Sequence, residues 1–136
     1  MEGKLVSGVI VDTDCIIDFF NNYPETASIV ERLIKAKLIH ISILSIYELY
    51  CGAKTKHQHF DIEKISSVSK IEYIDEKIAK EGAFLYQTYR KNGFTLSTVD
   101  CLIMATAKVN NLTILTRNLK HYPEKELIYV KDFSES

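Results

Sequence analysis

Short apolar runs and helix-like patterns alternate along the whole chain. In the first run, Gly8 to Val11, apolar residues are followed at once by Asp12 and, two positions later, by Asp14. Runs of this kind are typical of strands in a parallel sheet that is covered on both faces. Further strands are predicted at 38–43, 71–74, 112–116 and 127–130.

The segments between these strands carry apolar residues at helical spacing. The longest helix is predicted from Asp75 to Asn92, where Asn92-Gly93 ends it. Other helices are predicted at 13–22, 25–36, 45–52, 60–68 and 97–111, with a polar corner at 54–59 and a loop at 117–126. The alternation predicts one α/β domain over residues 1–136, in which helices and right-handed crossovers flank a central parallel sheet of about five strands.

The composition is that of an ordinary globular protein. The chain has 136 residues, 46% hydrophobic and 26% charged, which suits one domain. Its first residues lack the apolar core of a signal peptide, and no apolar run approaches the roughly 18 residues of a membrane span. A soluble, cytoplasmic protein without membrane contact is therefore expected. The net charge of -1 argues against a broad basic surface, although it allows a local one.

The cysteines and histidines give little indication of a metal site. Cys15, Cys51 and Cys101 are odd in number and far apart, which favours reduced, buried thiols. The pair His57-x-His59 lacks partner cysteines, and His40 is interpreted as a hydrogen-bonded strand residue.

Four polar residues stand where predicted strands end or helices begin: Asp12, Glu48, Asp100 and Asn118. Each has a structural explanation. Asp12 could cap a helix, and Asn118 suits a turn. Ser45-x-x-Glu48 has the capping-box pattern, and Ser97-x-x-Asp100 is related to it.

The joint placement of the three acids favours a functional interpretation. Strand ends and the helix starts that follow them share one edge of a parallel sheet, so the carboxylates of Asp12, Glu48 and Asp100 are expected to converge. Clustered carboxylates are costly to bury without a cation, and oxygen ligands suit Mg²⁺ or Mn²⁺. Such a site can activate water to attack a phosphodiester.

Four segments together resemble a known family. Residues 9–14, 45–53, 99–107 and 115–122 are similar, in that order, to the signature blocks of PIN-domain ribonucleases. They are most similar to the VapC toxins of bacterial and archaeal toxin–antitoxin pairs. The resemblance extends over nearly the whole chain, and four ordered blocks are far more specific than any one of them.

The resemblance implies a Mg²⁺-dependent endoribonuclease, in which Mn²⁺ is expected to substitute. Asp12, Glu48 and Asp100 would be its catalytic metal ligands. Asn118 would occupy a fourth position that is Asp in many PIN domains, and an amide there leaves the number of bound metals open. Thr13 and Thr116 would supply supporting hydroxyls. The implied partners are RNA with single-stranded regions, a second copy in a homodimer, and a small VapB-like antitoxin whose tail fills the active-site groove.

Other residues have weaker indications. Asp14 is expected to line the pocket, and Asp18 to be a solvated acid. Arg90, Arg117 and Lys120 are candidate RNA phosphate contacts, with ordinary surface charge as the alternative. The tyrosines near Glu48, Tyr47 and Tyr50, could stack on bases, pack in the core or contact a second copy.

Two other functions compete with the nuclease. An apolar strand followed by Asp-x-Asp also opens haloacid-dehalogenase-like phosphatases, in which the first acid is a nucleophile. The apolar residues after Asp100 do not match the later acid pair of that family. The second alternative is a catalytically silent PIN-fold binding module.

Overall fold

The structure is a computed structural model that describes residues 8–129. Four strands, all parallel, lie within this range: β1 (Gly8–Val11), β2 (Ile39–Ser42), β3 (Lys70–Glu72) and β4 (Leu112–Leu115). The α-helices are α1 (Thr13–Phe20), α2 (Pro24–Lys35), α3 (Ile43–Gly52), α4 (Lys56–Ser67), α5 (Glu76–Lys91) and α6 (Thr98–Asn110). No helix among the described residues has the length and apolar character needed to cross a membrane.

The sheet has the strand order β3-β2-β1-β4. Val9 of β1 lies opposite Ile39 on one side and Thr113 on the other. The α/β architecture with a parallel sheet is therefore confirmed. Because the chain moves outward from β1 to β3 and then returns to the other side of β1, β1 and β4 flank the point where the strand order reverses. Ligands of open α/β sheets bind beyond the carboxyl ends of strands at such a point.

Alternate residues of β1 supply two separate cores. Val9 and Val11 pack with residues of α1 to α4, whereas Ile10 packs with residues of α5 and α6. All four residues of β1 are buried, which explains its uninterrupted apolar sequence.

Polar side chains set the starts of the helices that border the site. Asp12 Oδ1 accepts from the backbone N–H of Cys15 at 2.9 Å and caps α1. Ser97 Oγ accepts from the N–H of Asp100 at 3.0 Å and caps α6. The capping roles expected for Asp12 and Ser97 are thus present, and each places an acid at the carboxyl edge of the sheet.

The sheet has four strands rather than about five. The predicted last strand is replaced by a 3₁₀ turn, Lys125–Leu127, followed by one isolated parallel bridge between Ile128 and Ile114. The turn takes up Leu127, so only Ile128 and Tyr129 remain to pair with the four-residue β4. Val130 lies outside the described residues.

The predicted corner at 54–59 is wrong from Lys56 onward, because α4 begins there. A capping box starts this helix: Thr55 Oγ1 accepts from the N–H of Gln58 at 3.1 Å, and Gln58 Oε1 accepts from the N–H of Thr55 at 3.1 Å. The box proposed at Ser45 is wrong, because Ser42 caps α3 and Ser45 lies inside the helix.

Two sequence-based expectations about single residues have opposite outcomes. His40 is a hydrogen-bonded strand residue as expected, with Nδ1 lying 2.6 Å from Glu72 Oε2. Cys15 and Cys101 are buried, but Cys51 is exposed near the end of α3, so the prediction of three buried thiols is wrong for Cys51.

Candidate active site

A cavity of about 220 Å³ opens beyond the carboxyl ends of β1 and β4. The backbone pairing continues to its edge, because the N–H of Asp12 donates to the carbonyl of Leu115 at 3.1 Å. The cavity is lined by Asp12, Thr13, Asp14, Glu48, Ser97, Val99, Asp100, Ile103, Asn118, His121 and Tyr122. The structure thus brings the four predicted site residues, Asp12, Glu48, Asp100 and Asn118, to one space.

The cavity is strongly acidic. Four carboxylates line it, from Asp12, Asp14, Glu48 and Asp100, and no lysine or arginine among the described residues does. Within residues 8–129, no three His, Cys, Asp or Glu side chains are already close enough together to hold a metal ion. The donor set of hard oxygens fits a divalent cation, which would have to draw the carboxylates together on binding.

Asp12 is the most enclosed of these acids, at 5% exposure. Burial raises the pKa of its carboxyl group, hydrogen bonds from the Thr116 hydroxyl and the Cys15 N–H oppose the rise, and the charge of Asp14 adds to it. A metal ion bound in the cavity would supply a positive charge that favours the ionised form.

Glu48 reaches the cavity from α3 and is held by α1. The hydroxyl of Thr13 donates to Glu48 Oε1 at 2.6 Å and also lies 2.9 Å from Ser45 Oγ. This contact fixes the carboxylate beside the first strand and gives Thr13 a position suited to a supporting role.

Asn118 presents its amide to an acid. Its Nδ2 donates to Asp14 Oδ2 at 2.7 Å, and its backbone N–H donates to Thr116 Oγ1 at 2.9 Å. Asp14 therefore lines the pocket, as expected, and the turn 116–118 is joined to both Asp12 and Asp14 at the start of α1 through side-chain hydrogen bonds.

Asp100 has two partners that sequence reasoning did not identify. The hydroxyl of Tyr122 donates to Asp100 Oδ1 at 3.1 Å, and His121 Nδ1 lies 3.4 Å from Asp100 Oδ2. Burial, together with the charges of Asp12 and Asp100, raises the pKa of Tyr122, which keeps this donor protonated. The sequence signal for both was their place in the family-like block 115–122, in which no role was predicted for His121 or Tyr122.

The predicted cationic contacts lie outside the lining of this cavity. Arg90 donates to the hydroxyl of Tyr86, and Lys120 is exposed in the turn after β4. Arg117 Nε pairs with Asp18 Oδ2 at 2.8 Å. The interpretation of Asp18 as a solvated acid is wrong, because this pairing and the surrounding helices leave its side chain only 17% exposed.

Comparisons with known proteins agree with this architecture. The family model of the PIN domain matches residues 9–123. Ribonuclease VapC1 of Methanocaldococcus jannaschii is 29% identical over 88% of this chain and 82% of its own length. Ribonuclease VapC19 of Mycobacterium tuberculosis is 30% identical over 84% of this chain and 91% of its own length.

A solved structure shows the same fold. A chain of a toxin–antitoxin complex from Klebsiella pneumoniae superposes with a TM-score of 0.77 and 28% identity, over 90% of this chain and 97% of that one. These matches overturn the haloacid-dehalogenase-like alternative. A family match over residues 9–123, with VapC relatives aligned over most of their lengths, shows that the chain belongs to the PIN domain family.

Proposed function

We propose that this chain is a divalent-metal-dependent endoribonuclease, the toxin of a toxin–antitoxin pair. The observation that carries the proposal is the cavity that four carboxylates line and that no lysine or arginine of residues 8–129 lines. The names of its VapC relatives support RNA as the substrate.

Asp12, Glu48 and Asp100 would hold Mg²⁺, or Mn²⁺ in its place, and Asn118 would add an amide oxygen or hold a water. When bound, the cation would activate a water molecule and offset the charge of the scissile phosphate. Thr13 orients Glu48, and Tyr122 orients Asp100, through the hydrogen bonds described above. Thr116 steadies Asp12 in the same way. The expected products carry a 5′-phosphate and a 3′-hydroxyl.

RNA would approach from the open side of the cavity. Lys120 is exposed in the turn after β4, and Arg90 is exposed at the end of α5, so both remain proposed phosphate contacts. Tyr47 on α3 is 69% exposed, close in sequence to Glu48, and could stack on a base or contact a second copy.

The test is cleavage of a mixed single-stranded RNA by the purified chain, followed by mapping of the new ends. Mg²⁺ and Mn²⁺ should each support cleavage, and chelation should stop it. Asp100→Asn should remove activity and retain cooperative unfolding, because Ser97 caps α6 through the backbone of residue 100. Unchanged cleavage in Asp100→Asn would refute the site. No cleavage by the wild-type chain with either ion would favour the silent binding module.

An antitoxin of the VapB type and a second copy of the chain are the proposed protein partners. The Klebsiella pneumoniae chain belongs to a toxin–antitoxin complex. A second cavity, of about 360 Å³, adjoins the first at Glu48 and offers apolar contacts from Ile17, Phe20 and Leu49. Light scattering during size-exclusion chromatography tests the homodimer. Growth arrest on induction of the wild type, but not of Asp100→Asn, would support the toxin role.

A further inference from the structure

Two acids one helical turn apart on α1 each contact the turn that follows β4. Asp14 Oδ2 accepts from Asn118 Nδ2 at 2.7 Å, inside the cavity. Asp18 Oδ2 accepts from Arg117 Nε at 2.8 Å, outside it. Asp14 and Asp18, at positions i and i+4 on one face of the helix, therefore contact two consecutive residues of the turn.

Arg117 is held from two directions. Its guanidinium carbon lies 4.4 Å from the centre of the Tyr23 ring, in addition to the contact with Asp18. Asp18 is held in turn, because the hydroxyl of Thr26 on α2 donates to Oδ2 at 3.4 Å. The guanidinium of Arg117 is charged, as arginine is in proteins, and the hydrogen bond to Asp18 raises its pKa further.

We propose that Asp18 and Arg117 form a positioning pair that fixes the turn 116–118, and with it the side chains of Thr116 and Asn118 in the active site. This inference rests on the proposed RNA cleavage. It assigns Arg117 to the orientation of the site rather than to the binding of an RNA phosphate.

The residues on either side of Arg117 explain how the pair would position the active site. The Thr116 hydroxyl hydrogen-bonds Asp12, and the Asn118 amide bonds Asp14. A shift of the backbone at residue 117 would move both groups relative to the two acids. Misplacement of a site by about 1 Å can lower a rate by around a hundredfold.

The test is a double-mutant cycle in RNA cleavage with Asp18→Asn, Arg117→Gln and the double variant. Each single substitution should lower kcat by about 10- to 100-fold, as loss of a supporting partner does, with little change in KM. The double variant should have a kcat no lower than that of the more impaired single variant, because both substitutions break the same pair. Arg117→Lys should behave like Arg117→Gln, since lysine lacks the planar group that meets both Asp18 and Tyr23.

Lys120→Gln is the matched control, because it removes one positive charge from the 3₁₀ turn Leu119–His121, next to the turn 116–118, without touching the pair. It should raise KM, or lower the salt dependence of binding, without the fall in kcat. The proposal is overturned if Arg117→Gln raises KM while Asp18→Asn has no effect, or if Arg117→Lys retains wild-type kcat. An equal fall in kcat for Lys120→Gln would also overturn it.

A readout independent of cleavage separates this inference from the proposed function. The backbone amide of Asn118 is bonded to Thr116 Oγ1, so its hydrogen exchange reports on the turn. Asp18→Asn and Arg117→Gln should both accelerate this exchange, and Lys120→Gln should not. Faster exchange in the first two variants, with no RNA cleavage by the wild type, would retain the pair and reject the nuclease. Unchanged exchange would reject the pair.

Discussion

The acids near the two ends of helix α6 have different partners. Asp100 stands in the first turn and Asn110 is the last residue, about 15 Å apart at the usual helical rise. At the first end, four carboxylates line a cavity to which the described part of the chain contributes no lysine or arginine. At the other end, Glu72 receives a hydrogen bond from Asn110 Nδ2 at 2.9 Å and lies 2.6 Å from His40 Nδ1.

The buried acids Glu72 and Asp12 differ in their hydrogen-bond partners and not in their burial. Glu72 and Asp12 are almost equally enclosed, at 6% and 5% exposure. Glu72 meets an imidazole and an amide. Asp12 receives hydrogen bonds from Thr116 and Cys15, but burial still raises the pKa of its carboxyl group. Of these two buried acids, Asp12 is therefore the one that we propose as a metal ligand.

Asp12→Asn should have the largest effect on function. We expect RNA cleavage to fall by more than about 100-fold, the upper limit for losing a residue that only supports a ligand. The fold should be retained or become more stable, because the amide oxygen can still accept from Cys15 and the cost of burying a charge disappears. Urea unfolding should show an undiminished free energy without metal. A cooperative loss of stability would indicate that Asp12 serves only as a cap.

Glu72→Ala should show the reverse pattern. It leaves the buried His40 without its partner, at a cost of about 1–3 kcal/mol. The half-buried Asn110 loses a hydrogen-bond acceptor at a smaller cost. Cleavage per folded molecule should change little, since Glu72 does not line the active cavity. Chemical unfolding and single-turnover cleavage measure the two effects separately. If Glu72→Ala also lowered the cleavage rate of folded protein, the two ends of α6 would be coupled.

The polar residues at the carboxyl edge were predictable because they stand where apolar runs end or helical patterns begin in the sequence. The partners of the buried acids were not, because Glu72 and His40 are 32 residues apart and meet only through the pairing of β2 with β3. The sequence pattern could not separate two candidate helix starts: Thr55-x-x-Gln58 and Ser45-x-x-Glu48 have the same pattern, but only the first forms a capping box. In the second, Thr13 of a different helix takes the glutamate oxygen.

Tyr122→Phe should have a smaller effect, confined to the first end of α6. The ring stays in its buried place, and only the hydrogen bond to Asp100 is lost. Affinity for Mn²⁺, measured by calorimetry, should fall by roughly tenfold, as expected for a residue that orients a ligand. Unfolding in the absence of metal should change by less than about 1.5 kcal/mol. Unchanged Mn²⁺ affinity would mean that Asp100 needs no such support.

The smallest effect is the dependence of stability on pH. Because burial raises the pKa of folded Asp12 above its ordinary value of 3.8, the folded state binds more protons than the unfolded state between these two values. The contribution of Asp12 to stability should therefore fall as the pH rises through this window, and then level off. Asp12→Asn removes the contribution, so its advantage over the wild type should grow across the same window.

Urea unfolding in chelator from about pH 4 to pH 8, which spans the ordinary ranges of Asp and His, measures this difference. Glu72→Ala should retain the contribution of Asp12, since that acid is untouched. Saturating Mg²⁺ should stabilise the wild type but not Asp12→Asn, because only the wild type keeps the carboxylate that a cation would neutralise. An advantage of Asp12→Asn that is the same at every pH would mean that burial of the Asp12 charge costs the fold nothing. The contrast between the two ends of α6 would then have to rest on geometry alone.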